Sequence, residues 1–200
     1  MEKQDIRGIT RMKLPKVGQI GILVRDIPEA AAYYSKLLDV GPWYRSNTVK
    51  HEAVYRGKSI SPDLDIAIAF QGGMEIEIIA DKGNAENVYS DMLSKCGGGI
   101  HHLGIMVCGY EKKLDEMKAN GVEVLQSGVI TTKGSAITRY AYLDTIKQCG
   151  IVSELISTTL MGLPMPHGKL IMDIGCLTGD VACRERLGGM LRYYYRQQAA

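Results

Sequence analysis

"GGGIHHLGIMV", residues 97–107, decides the fold, because its second half has already occurred once in the chain. Gln19-Ile20-Gly21-Ile22-Leu23-Val24 matches His102-Leu103-Gly104-Ile105-Met106-Val107 position by position, at an offset of 83 residues. A second echo lies further along, where Glu77-Ile78-Ile79 returns as Glu154-Leu155-Ile156 at an offset of 77 residues. Both copies carry the alternation of a half-buried strand, whose side chains point to opposite faces in turn. The chain repeats itself once, so its fold is read as two copies of one unit.

Working outward from these stretches, residues 17–24 read as a strand. Asp26-Ile27-Pro28-Glu29 then supplies a helix start and "EAAAYYSKLLDV" an amphipathic helix, with Gly41 just past its end. Strands follow near 42–56, 64–70 and 74–80, the last two joined by Gln71-Gly72-Gly73. After a linking helix near 85–95 the order returns: a strand at 101–108, a helix at 110–120 stopped by Gly121, and strands near 122–130, 136–143 and 150–157. The expected architecture is α+β, with two tandem βαβββ modules at 17–82 and 101–158. An N-terminal extension (1–16), a linking helix and loop (83–100) and a C-terminal extension (159–200) surround them.

Composition narrows the function classes. In 200 residues, 24 basic against 22 acidic side chains give a formal net charge of +2, which offers no electrostatic reason to expect nucleic acid or an anionic membrane as partner. No apolar run approaches the roughly 18 residues of a membrane span, and the charged start lacks a signal-peptide core, so the expectation is a cytoplasmic protein with a small-molecule substrate. Five scattered cysteines without a C-x-x-C pair fit neither a disulfide framework nor a thiolate zinc site.

Strand parity sorts the two adjacent histidines. His101 shares its side with Leu103, Ile105 and Val107, the greasier face expected to pack under the helix, while His102 shares its side with Gly104. In the first copy Gln19 likewise sides with Gly21, and Ile20, Ile22 and Val24 take the other face. A polar residue followed two positions later by a glycine, in both copies, marks one shared cavity. His102 is therefore the functional candidate and His101 its structural neighbour.

Gln19, Glu77, His102 and Glu154 are polar residues in otherwise apolar strands, at matching places in the repeat. Singly, each has an ordinary explanation as a solvated or satisfied core residue. Jointly, an approximate two-fold between the modules brings them together as one imidazole nitrogen and three oxygen donors. Such a set suits one divalent ion (zinc, cobalt, nickel, manganese or magnesium) with positions left for water or substrate. An ion held this way polarises a carbonyl and stabilises the enolate or enediolate formed when the neighbouring carbon loses its proton, and it needs a base nearby.

The paired modules, with "QIGILVRDIPEAAAYYSKLLDVG", "GGGIHHLGIMV" and the closing "AYLDTIKQCGIVSELIS", resemble the vicinal oxygen chelate (glyoxalase/bleomycin resistance/dioxygenase) superfamily over residues 16–158. The resemblance implies a half-open mixed β-barrel around one metal site. It implies Gln19, Glu77, His102 and Glu154 as metal ligands, Glu154 as proton-transfer base with Glu77 as the alternative, and a homodimer. The ligand order resembles glyoxalase I, whereas "GGGIHHLGIMV" is closer to methylmalonyl-CoA epimerase. The implied function is accordingly a metal-dependent epimerase/isomerase or lyase, with a non-catalytic small-molecule or antibiotic-binding protein of the same fold as the alternative. Gln19 stands where extradiol dioxygenases carry a histidine, which disfavours oxygen chemistry.

Other features carry weaker expectations. Glu75 shares parity with Glu77 and fits either a supporting role or a solvated strand end. "WYRSNTVKHEAVYRGKSI", with Trp43, Tyr44, Lys50, His51 and Arg56, borders the expected cavity mouth or forms an ordinary charged loop, and Arg139 and Tyr140 invite the same choice. "LIMDIGCLTGD" resembles a methyltransferase glycine loop only superficially, and the arginine-rich tail reads as a packing or dimer-contact extension.

Overall fold

The computed structural model describes residues 14–133, 135–165 and 168, together with strands at 181–186 and 191–196. "LIMDIGCLTGD" and His167 lie outside the described residues.

β1 (Gln19–Leu23) leads into α1 (Ile27–Leu38). The Asp26 side chain accepts the Glu29 N–H at 2.7 Å, and Pro28 sits in the first turn, where its missing N–H costs nothing. The helix ends before the expected glycine: Asp39 takes the left-handed conformation (φ 53°) and its N–H bonds back to the Tyr34 carbonyl. Asp tolerates that geometry because its short side chain bonds locally, so Gly41 is not needed as the stop.

The strand expected over 42–56 is two strands, β2 (Trp43–Arg45) and β3 (Thr48–Tyr55), and β3 folds back on β4 (Lys58–Ile60) through Arg56 and Gly57, both at positive φ. β5 (Leu64–Gln71) and β6 (Met74–Asp81) complete the first copy. α2 (Val88–Cys96), held by an Asn87 capping box, links it to β7 (Gly99–Met106), α3 (Tyr110–Ala119), β8 (Val124–Thr132) and β9 (Ala136–Leu143). The single turn α4 (Ile146–Cys149), β10 (Val152–Leu160) and the short β11 (Leu163–Pro164) follow, then β12 (Val181–Arg186) and β13 (Leu191–Arg196).

Ten strands run in the order β2-β5-β6-β1-β7-β10-β9-β8-β3-β4, so β1-β6-β5-β2 and β7-β10-β9-β8 repeat one connectivity. The copies join at the antiparallel pair β1–β7, each flanked by a parallel neighbour. β2 and β3 lie towards opposite ends of this order yet are only two residues apart in sequence. The Ser46 N–H bonds the Ile66 carbonyl on one side and the Asn47 carbonyl accepts the Lys133 N–H on the other, both at 2.9 Å. The sheet therefore curls until its ends approach, which makes a mixed α+β half-barrel. β13 adds to β2 in parallel and β12 pairs with β13, so the tail extends the sheet at that edge.

Each module's outer face is covered by its own helix. Ile27 and Ala31 of α1 pack on Ile22, Trp43, Ala67, Ile76 and Ile78, and Tyr110, Leu114 and Met117 of α3 pack on Ile105, Ala141, Leu143 and Leu155. The concave side has a third core, in which Leu23, Ile79, Tyr89, Tyr140, Tyr142 and Val152 meet. Alternation along β6 thus sends Ile76 and Ile78 outward under α1 and Glu75, Glu77 and Ile79 inward. Ile78 is fully buried, so Ile78→Ala is expected to cost roughly 2–5 kcal/mol of unfolding free energy in chemical denaturation. A loss below about 1 kcal/mol would contradict this packing.

Candidate functional site

On the concave face the four central strands place their residues in two rows. One runs Glu75, Gln19, Gly104, Glu154 across β6, β1, β7 and β10, and the next runs Glu77, Gly21, His102, Val152. The internal repeat maps Gln19 onto His102, Gly21 onto Gly104 and Glu77 onto Glu154, so Gln19 and His102 each stand beside the glycine of the other copy. A Cβ on Gly21 would lie 1.9 Å from His102 Cε1, and one on Gly104 would lie 2.5 Å from Gln19 Oε1. The two glycines leave the space that the histidine ring and the amide occupy.

The four residues implied as ligands come together at one atom. His102 Nε2 lies 2.9 Å from Glu154 Oε2, 3.1 Å from Gln19 Oε1 and 3.5 Å from Glu77 Oε2. Glu75 faces the same cluster and accepts a hydrogen bond from Gln19 Nε2 at 2.7 Å, which turns the amide oxygen towards His102. Glu154 Oε2 is buried, and its one close polar contact is the 2.9 Å ion pair with the ring nitrogen, which leaves it otherwise unsatisfied. His102 is fully buried and Gln19, Glu75 and Glu154 nearly so; the Glu77 side chain, 13% exposed, is where the cluster meets solvent.

Three carboxyl groups around one imidazole are an unbalanced charge set in a buried place, where an uncompensated ion costs several kcal/mol. Burial pushes the Glu77 carboxyl up to about 8, against the opposing pull of the His102 ring. Burial works to lower His102, but the Glu154, Glu77 and Glu75 carboxylates more than offset it and hold the ring above its usual 6.5. The cluster thus holds protons in place of a missing positive charge.

Among the described residues no three His, Cys, Asp or Glu side chains form a ready-made metal cage, the donors being drawn together on Nε2 instead. The donor chemistry still fits an ion. With metal–ligand bonds of about 2.1 Å, adjacent ligands stand about 3.0–3.4 Å apart, close to the separations of the three oxygens from Nε2. The orphaned Glu154 oxygen is the atom such an ion would satisfy.

Further groups on the concave side carry no repeat signal. His51, buried, takes a 2.8 Å hydrogen bond with the Tyr140 hydroxyl, which also accepts from Gln126 Nε2 at 3.0 Å. The Tyr89 and Tyr142 hydroxyls pair at 2.8 Å, and the Tyr142 ring stands 5.1 Å from His102. The loop expected at a cavity mouth is thus divided: Trp43 is core beneath α1, His51 points inward, and Lys50 and Arg56 form exposed ion pairs with Glu52 and Asp91. His101 departs from parity. Gly21 pairs with His102 and Ile22 with Ile100, so His101 is an extra residue in a β-bulge, and it sits among Tyr89, Tyr142 and His102 rather than under α3.

A model of the Glyoxalase/Bleomycin resistance protein/Dioxygenase superfamily matches residues 18–142. The chain belongs to this superfamily. Among curated proteins none matches. Solved structures of this superfamily member's fold include methylmalonyl-CoA epimerase from Mycobacterium tuberculosis, at 18% identity and a TM-score of 0.53, covering 83% of this chain and 97% of that one. A Streptomyces coelicolor methylmalonyl-CoA epimerase variant in complex with 2-nitronate-propionyl-CoA is similar at 18% identity and a TM-score of 0.50, with coverage of 77% and 100%. A hypothetical protein from Bacillus halodurans C-125 is similar at 23% identity and a TM-score of 0.50, with coverage of 70% and 92%. At these identities the likeness is one of fold. No helix among the described residues is long and apolar enough to cross a membrane.

The Glu77 shift fixes the sign of a pH effect. A folded-state pKa of about 8 against 4.5 means the contribution of Glu77 to stability is full below 4.5 and is lost as pH rises through about 8. His51 and His101, held down to about 4 and about 3 by burial, act oppositely, their contributions being lost as pH falls below 6.5. In metal-free protein, Glu77→Gln should therefore gain stability relative to wild type between pH 5 and pH 8, by at most about 1.4 kcal/mol per pH unit. Parallel denaturation profiles for the two proteins would contradict the assignment.

Proposed function

We propose that this chain is a divalent-metal-dependent epimerase or isomerase that moves a proton at the carbon next to a carbonyl of a small-molecule substrate. The observation that carries the proposal is the convergence of Gln19 Oε1, Glu77 Oε2 and Glu154 Oε2 on His102 Nε2, with the Glu154 oxygen buried and otherwise unsatisfied. Gln19, Glu77, His102 and Glu154 would hold the ion. When bound, it supplies a Lewis acid that makes the adjacent carbon acidic.

The chain's own groups do the rest. Glu77 and Glu154 are related by the repeat and approach Nε2 from different modules, so a substrate lying between them faces a carboxylate on each side. Inversion at carbon needs this arrangement, one carboxylate taking the proton from one face and the other returning it to the opposite face. Glu154 is the proposed base and Glu77 its counterpart, each moving a proton when its carboxylate loosens from the ion. A lyase of the glyoxalase I type would draw on the same ligand order, and what supports the epimerase is the fold similarity to structures of methylmalonyl-CoA epimerases. Exclusion of water by the surrounding buried residues strengthens each electrostatic contact.

Metal content and proton exchange test the proposal together. Purified protein should hold about one equivalent of divalent ion that His102→Ala loses, and it should catalyse solvent deuterium uptake at the carbon between the thioester and carboxylate of a branched dicarboxylic acyl-CoA. Glu154→Gln should abolish the exchange while keeping most of the metal. Full exchange in Glu154→Gln would remove Glu154 as base. A protein that neither takes up metal nor exchanges deuterium, yet binds a small molecule, would be the non-catalytic binding protein of this fold.

A further inference from the structure

We propose that Tyr142, backed by Tyr89, is a specificity-determining residue that donates its hydroxyl hydrogen to a carboxylate or carbonyl oxygen carried by the substrate beside its acidic carbon. The substrate class rests on the epimerase reading; the donor itself is a property of the protein alone.

The row that carries Glu75, Gln19, Gly104 and Glu154 runs on across the second module. Tyr142 on β9 is the register partner of Glu154, and Gln126 on β8 is the partner of Tyr142. Alternation puts all three on the concave side, and neighbouring strands are about 4.8 Å apart, so Tyr142 and Gln126 stand one and two strands from Glu154. The Tyr142 ring lies 5.1 Å from the His102 ring and is closed in by His101, Tyr140 and Tyr89 at 5.0, 5.2 and 5.8 Å.

Donor hydrogens outnumber acceptors here. Tyr142 and Tyr89, each 2% exposed, meet at 2.8 Å between hydroxyl oxygens. Two O–H groups make one hydrogen bond between them, so whichever donates, the other hydrogen has no acceptor among the described residues. Gln126, fully buried, gives one N–H to the Tyr140 hydroxyl at 3.0 Å, and its oxygen accepts the Val88 N–H at 3.2 Å. Its second N–H is likewise left over among the described residues. The nearest carboxylate, Glu154, is turned to His102 Nε2. Donors buried this deeply are costly to leave unmade, and an oxygen of a bound substrate satisfies them.

The first module offers no counterpart. The repeat maps Glu77 onto Glu154, and the register partners of these two are Ile68 and Tyr142. One carboxylate therefore has hydrocarbon beside it and the other a hydroxyl, within a set of ligands that is otherwise nearly two-fold. A carbon bearing an alkyl group and an oxygen-bearing group fits such walls in one orientation, with the oxygen towards Tyr142 and the alkyl group towards Ile68. Inversion needs such a hold, because the oxygen-bearing groups must stay anchored while the proton leaves one face of the carbon and returns to the other.

Titration calorimetry with methylmalonyl-CoA and isobutyryl-CoA tests the assignment, because the second carries a methyl group in place of the carboxylate. Zinc-incubated wild type should bind methylmalonyl-CoA the more tightly. Tyr142→Phe, which removes one oxygen and keeps the ring, should weaken that binding about 10–100-fold and change isobutyryl-CoA binding by less than about twofold. Tyr89→Phe should weaken it less, since Tyr142 keeps its own O–H. Equal binding of the two thioesters by wild type, a result that needs no variant to fold, would overturn the proposal. So would an unchanged preference in Tyr142→Phe, or an equal loss for both thioesters, the mark of a structural role. Deuterium exchange in the same samples separates the two readings. Exchange in wild type with an unchanged preference in Tyr142→Phe would keep the epimerase and remove this role, whereas a Tyr142-dependent preference without exchange or metal uptake would uphold the donor and sink the epimerase. A protein that binds neither thioester would contradict both.

Discussion

Two glycines at a strand crossing are the constraint on which the rest of this molecule depends. Where β1 and β7 run antiparallel at the centre of the sheet, Gln19 and His102 each need the space that a neighbouring Cβ would fill, and Gly104 and Gly21 leave it open. Because the two pairs are related by the internal repeat, one local solution used twice brings a side chain from each module to a common point. The flanking strands β6 and β10 then deliver Glu77 and Glu154 from matching places. The curl of the sheet, closed through Ser46 and Asn47, encloses that point.

The site is costly to the fold. Three carboxyl groups and an imidazole are buried where hydrocarbon would pack without penalty, and the raised pKa values of Glu77 and His102 express that cost as retained protons. Glu75 departs from the symmetry, its counterpart being Val152, and it orients the Gln19 amide. His101 departs from strand alternation and contacts the other donor ring. Each exception to the repeat thus supports one of the two residues at the crossing. Such an arrangement is understandable if the donors serve a cation, with the outer cores beneath α1 and α3 supplying the stability that the inner cluster withholds.

Much of this was legible in the sequence, because it rests on local pattern. The offset repeat exposed the two modules, period-two alternation separated Glu75 and Glu77 from Ile76 and Ile78, and Asp26-Ile27-Pro28-Glu29 announced α1. The rest depended on non-local pairing. Nothing within residues 42–56 says that Trp43 stays with its own module while His51 crosses to the edge of the other, since that division is set by where β8 lies. The turn of His101 was hidden because parity assumes a regular strand and the bulge is a property of the pair β1–β7. The grouping of the tyrosines that fill the concave side was hidden because Tyr89 comes from α2 and Tyr140 and Tyr142 from β9, and they meet only when the sheet curls.

The central claim is that four side chains from four adjacent strands surround one cation. The most direct measurement is a crystal structure of the cobalt- or zinc-loaded protein with anomalous scattering recorded at the metal edge. The account predicts a single strong peak about 2.0–2.2 Å from His102 Nε2 and from oxygens of Gln19, Glu77 and Glu154. A peak bound elsewhere, or the four side chains still closed upon one another with no peak between them, would contradict it.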